Sequence, residues 1–180
     1  MKQRSLKKLG TILGALLVTG ALAGTAAAVL TVDAGGAEIH VDKRTNDLPT
    51  TTGSTDWVNL PGASANVFVP ANSSRLYDVP FFAESQCTGP NAGNCAVRII
   101  AISAAGITPL NPASGLDYAF DSDMPGAATD LAEGHGMERS KRLFGGQNGT
   151  NYTIQVQFAV VNPQSVFTLD DWHLAVHTNI

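Results

Sequence analysis

The chain has 180 residues, of which 44% are hydrophobic, 14% charged and 7% aromatic, a balance that suits one ordinary domain and excludes a disordered, collagenous or multi-pass membrane chain. Its formal charge of −4 averages two unlike pieces: residues 1–28 carry Lys2, Arg4, Lys7 and Lys8 with no acid, leaving seven basic against fifteen acidic residues and a net charge of −8 on residues 29–180. So acidic a chain lacks the concentrated basic surface that displaces counterions from phosphates, which excludes nucleic acid as a partner.

In chain order, the basic start is followed by an apolar core at residues 9–23 and by Ala26, Ala27 and Ala28, small residues in an A-x-A pattern. This is the layout of a bacterial secretory signal, a helix cleaved after Ala28. The competing reading is an uncleaved anchor, because residues 9–32 carry no charge and about 20 residues span a bilayer. Four glycines and many alanines make the segment weakly hydrophobic, which favours cleavage. Either way the folded part lies outside the cytoplasm, secreted or at the cell envelope.

Residues 37–41 alternate briefly, and residues 43–56 hold five threonines, one proline and almost nothing apolar. Residues 29–56 therefore read as an N-terminal segment and Thr-rich linker, and residues 57–180 as one domain. Period-two stretches predict strands at residues 65–70, 75–84, 96–103, 116–120, 137–144, 150–161 and 165–178. The run Val97-Arg-Ile-Ile-Ala-Ile102 is apolar on both faces apart from Arg98, as in a central strand. Only residues 127–133 offer a short helical turn. Gly145-Gly-Gln-Asn-Gly149 is a hairpin signal, so the last three strands are expected to form an antiparallel meander. Many short strands without alternating helices predict an all-β antiparallel sandwich, jelly-roll or immunoglobulin-like.

Two local features are more specific. Cys87 and Cys95 are the only cysteines and bracket a polar, turn-rich loop. In an exported chain they are expected to form one disulfide, worth about 2 to 3 kcal/mol for so short a loop. In the last strand, Phe167 and Leu169 share one parity while Trp172, Leu174 and Val176 share the other. Keeping both sets in the core requires a bulge or bend at Asp170-Asp171, because one extra residue swaps the faces.

Residues 152–161, followed by Phe167-Thr-Leu-Asp-Asp-Trp-His-Leu-Ala-Val176, resemble the closing strands of bacterial jelly-roll carbohydrate-binding modules. That resemblance implies a glycan as partner and a structural calcium ion held by Asp171, or by Asp170 if the register differs. The chain also resembles exported bacterial β-sandwich proteins that carry no function to transfer.

The remaining chemistry is less specific. Asp117, Asp121, Asp123, Asp130 and Glu133 supply the oxygen ligands calcium prefers, but without an EF-hand pattern. His40, His135, His173 and His177 do not converge as a zinc centre would require; on a strand His173 and His177 stand roughly 13 Å apart. The chain has no G-x-S-x-G or H-E-x-x-H, and the hydrolase candidates, Asp121 with Glu138 and Ser140 with His135 and Glu138, lack a recognised spacing. Arg139-Ser-Lys-Arg142 could meet an anionic glycan or lipid surface, but a charged edge strand that discourages aggregation is the favoured reading. Of the aromatics, Tyr77 and Trp172 fall on core parities, whereas Trp57 and Tyr118 lie near loops and are the candidate ligand contacts, since sugars present C–H faces to aromatic rings. The expected function is thus a non-catalytic binding module for a glycan or cell-envelope component. The alternatives are a structural or homo-oligomerising surface protein and, third, a secreted hydrolase.

Overall fold

The computed structural model describes residues 36–90, 93–113, 118–123 and 131–180. The signal segment, most of the 127–133 turn, and residues 116–117 lie outside them. Among the described residues ten strands follow one another: β1 (Glu38–Asn46), β2 (Thr50–Thr52), β3 (Val58–Val69), β4 (Ser74–Thr88), β5 (Gly93–Ser103), β6 (Gly106–Pro109), β7 (Ala119–Asp123), β8 (Glu133–Phe144), β9 (Thr150–Val160) and β10 (Val166–Asn179). They form two antiparallel sheets packed as a sandwich, the first ordered β1-β10-β4-β8 with β2 also on β10, the second β3-β9-β5-β6 with β7 also on β5. The pairs β1 with β10, β3 with β9, β4 with β8 and β5 with β6 are nested like the rungs of one long hairpin. Rolled so that β10 meets β4 and β9 meets β5, this hairpin is the jelly-roll alternative of the two expected.

Alternation places Tyr77, Val79 and Phe81 of β4, Val97 and Ile99 of β5, Ile154, Val156 and Phe158 of β9, and Phe167, Leu169, Trp172 and Leu174 of β10 in one buried cluster between the sheets. Cys87 on the first sheet and Cys95 on the second are disulfide-bonded inside that cluster, so the bridge staples the two layers together. β5 is central, with β9 on one side and β6 and β7 on the other, as its apolar run requires.

Two expectations are corrected. The Thr-rich stretch is not a linker: β1 and β2 both hydrogen-bond to β10, and the folded unit begins well before residue 57. Threonine favours extended backbone, and polar side chains on both faces suit a strand at the sheet margin, where most of β1 stays exposed. Nor do the last three strands form a meander. β8 pairs with β4, β9 with β3 and β5, and β10 with β1, β2 and β4. The loop at residues 145–149 reverses the chain with left-handed backbone at Gly146 and Gly149 (φ 60° and 78°), but it carries the chain from one sheet to the other. β8 is an edge strand, and Asn111 exchanges two backbone hydrogen bonds with Ser140 at its middle.

The bulge is present. The β10 to β4 register shifts between Asp170 and His173, Asp171 adopts φ 44°, and its N–H donates to the Asp170 Oδ1 at 2.9 Å. Both apolar sets of β10 are consequently buried.

Tyr77 is fully buried and its hydroxyl meets no hydrogen-bond partner among the described residues. Burial pushes its phenol above the ordinary value of 10.0, with Arg75 acting in the opposite sense. The unfolded chain therefore ionises this phenol before the folded one does, so stability that is whole below about pH 10 is lost as pH rises past that value. Tyr77→Phe is expected to hold or raise stability at pH 7 by about 1 kcal/mol, by removing an orphaned hydroxyl, and to flatten the alkaline loss. Urea unfolding at pH 7 and above pH 10 checks both; a Tyr77→Phe protein that is 2 kcal/mol weaker at pH 7 would show that the hydroxyl is bonded.

Candidate functional site

The outer face of the second sheet carries a row of polar side chains in register: Asn59 of β3 stands opposite Gln157 of β9, which stands opposite Arg98 of β5. Because Val97 and Ile99 turn inward, Arg98 must turn outward. Its Nε donates to Gln157 Oε1 at 2.8 Å, and Gln157 Nε2 donates to Asn59 Oδ1 at 2.7 Å. The amide of Gln157, itself buried, thus fixes the guanidinium at one end.

Two aromatic residues complete this surface from the ends of strands. Trp57 immediately precedes β3, where Ser54 turns the chain by bonding the Asp56 N–H and carbonyl and the Ser54 carbonyl accepts from Val160 N–H. Tyr118 immediately precedes β7, whose Ala119 stands opposite Ala96. The two rings meet with centroids 5.4 Å apart at 73°, edge to face, and the Arg98 guanidinium carbon lies 4.4 Å from the Trp57 ring centroid, within cation–π range. All three side chains are half-buried. Burial draws the Arg98 guanidinium below its ordinary value, opposed by the Tyr118 phenol.

The fold therefore brings together the two loop aromatics expected as ligand contacts, although 60 residues separate them in the chain. The residues that sequence reasoning missed are Arg98 and Gln157. The available signal was Arg98 itself, the one charged residue inside an apolar central strand. Gln157 looked like any outward polar residue of β9.

Asp170 and Asp171 lie instead on the first sheet, at the bulge, where the Asp170 carboxylate is bonded to backbone. Asp171 borders a shallow hollow of about 460 Å³ with Phe82, Glu84 and His135. No group of three or more His, Cys, Asp or Glu side chains with metal-binding spacing occurs among the described residues.

The hydrolase candidates separate. Glu138 stands opposite Pro80 and Ser140 opposite Asp78, whereas Asp121 lies beside Ser85. There the buried Ser85 hydroxyl donates to Asp121 Oδ2 at 2.7 Å and contacts His135 Nδ1 at 2.8 Å, with Glu133 4.0 Å from His135 Nε2. The trio ties β4, β7 and β8 together across the sandwich seam.

No family model and no curated protein matches the chain. Among solved structures, it is similar to dimeric latent PorU from Porphyromonas gingivalis, at 12% identity and a TM-score of 0.35, over 81% of this chain and 13% of that one. A likeness of this size carries no functional inference.

Proposed function

We propose that the protein is an exported, non-catalytic jelly-roll module that binds a glycan or another cell-envelope component through Trp57, Tyr118 and Arg98. The observation that carries this reading is the meeting of two half-buried aromatic rings with a guanidinium and an amide on one sheet face. A sugar ring presents apolar C–H groups on its faces and hydroxyls around its rim; aromatic rings take the first and planar amide or guanidinium groups take the second. Export is supported by the basic, apolar and small-residue layout of residues 1–28 and by the disulfide, since such bridges persist in oxidising compartments.

The test is depletion of the mature protein from solution by a panel of insoluble polysaccharides and cell walls. Retention on at least one polymer is expected, weakened at least about tenfold by Trp57→Ala, as for a central aromatic anchor. Circular dichroism confirms that the variant is folded. Retention unchanged by Trp57→Ala and Tyr118→Ala would move the contact elsewhere, and no retention on any polymer would overturn the reading. In that case a structural or self-associating surface protein stands next, drawing on the exposed rings of Phe68, Phe82 and Phe144, and sedimentation measures it. Running the assay in calcium and in chelator tests the ion implied at Asp171 or Asp170, and a chelator effect reproduced by Asp171→Asn would locate it there.

A further inference from the structure

Among the described residues, the charge at the centre of this cluster is incompletely answered. Arg98 is the only charged residue of β5, and its side chain is half removed from water. Its Nε is committed to Gln157, and its guanidinium carbon lies over the ring of Trp57. No ion pair reaches it among the described residues, and its two Nη groups make no hydrogen bond to any of them. A guanidinium carries five N–H donors in a rigid fork, so the end pointing away from Gln157 offers a pair of parallel donors. Withdrawing such a cation from water without a counter-charge is costly, and the cost is recovered when an anion arrives. The ring face of Trp57 answers it only in part.

Resting on the glycan reading, we infer that the ligand is an acidic saccharide whose carboxylate is received by the Nη fork of Arg98 while its ring lies against Trp57 and Tyr118. The carboxylate is the anion that matches this site. It is planar, accepts two parallel N–H bonds from one guanidinium, and carries a single negative charge against a single cation, the described cluster holding no second Lys or Arg. A dianionic phosphate monoester would leave one charge unanswered. The net charge of −8 on residues 29–180 repels a densely charged polyanion. The acidic sugars are therefore isolated ones, spaced by neutral residues along the glycan.

The experiment is calorimetric titration of the mature protein with an aldobiouronic acid, a uronic acid joined to one neutral sugar, and with the same disaccharide after its carboxyl is reduced to an alcohol. The acidic form is expected to bind at least about tenfold more tightly than the reduced form, as for a charge-assisted bidentate pair. Arg98→Gln is expected to bring the two affinities together without unfolding the protein, and Arg98→Lys to restore only part of the preference, because it returns the charge without the fork. Trp57→Ala weakens both forms alike.

Equal affinity of the parent protein for the two disaccharides would overturn the acidic inference and leave the glycan reading standing. So would a preference that survives Arg98→Gln, which would place the cation elsewhere. Binding of neither disaccharide, with retention on a neutral polymer in the depletion panel, overturns the inference alone; absence of both overturns the two together.

Discussion

Deletion of Asp171 is expected to abolish the fold. Side chains on a strand alternate, so removing the extra residue of a bulge turns every later side chain of that strand to the opposite face. In β10 this would expel Trp172, Leu174 and Val176, each at most 2% exposed, and drive His173, Ala175 and His177 inward. At about 1.5 to 3 kcal/mol for each large apolar side chain returned to water, the loss is of order 6 kcal/mol before any cost of burying imidazoles. That rivals the whole stability of an ordinary domain. Asp171→Gly is the control: the residue has φ 44°, a conformation glycine adopts without steric penalty, so this variant keeps the fold and unfolds at equal or slightly higher urea concentration. The readouts are soluble yield, near-ultraviolet circular dichroism and tryptophan emission. A deletion variant with native spectra would show that β10 slides to absorb the lost residue and that the bulge does not set its faces.

Trp172→Ala carries the second large effect, about 3 to 5 kcal/mol by urea unfolding, as for truncation of a large aromatic in a packed core. Trp172 heads the fully buried side chains by size. Its ring lies 6.5 Å from that of Phe81 and beneath the Gly62 backbone, where a Cβ would stand 3.6 Å from the indole. Gly62 belongs to residues 60–63, which leave the β3 to β9 register between Asn59 and Ser64, and Gln155 Nε2 holds this excursion by donating to the Leu60 and Ala63 carbonyls at 3.2 Å each. Trp172→Phe is expected to cost less than half as much. It preserves most of the apolar contact and removes an indole N–H that has no partner among the described residues. A cost below about 1 kcal/mol for Trp172→Ala would mean that the core closes over the gap.

Much of the architecture is legible from local pattern. The opposed parities of Phe167 and Leu169 against Trp172, Leu174 and Val176 predict the bulge at Asp170-Asp171, and the structure has it there. The apolar run interrupted by Arg98 predicts a central strand, and β5 is one. The candidate site is only half legible. Trp57 and Tyr118 stand out as aromatics near loops, but what joins them is Arg98, whose single interruption of an apolar strand carries no information about which ring lies above it. The Ser85, Asp121 and His135 trio was invisible, because its members come from three strands and each is common by itself.

Strand periodicity, the sandwich class, the cysteine pair and the position of the bulge each depend on a side chain and its near neighbours. These follow from alternation and chain connectivity, which operate over a few residues. Which strand pairs with which is settled only in the assembled sandwich. An Asn-Gly turn reverses a chain equally well into the same sheet or the opposite one, so the loop at residues 145–149 did not reveal that β8 and β9 belong to different layers. A Thr-rich segment is compatible with a linker or an edge strand, and only the free backbone edge of β10 made residues 38–46 and 50–52 sheet. Backbone hydrogen bonds are the same whichever strand supplies them, so the choice rests on which arrangement buries the most apolar surface, a property of the assembled sandwich and of no one segment.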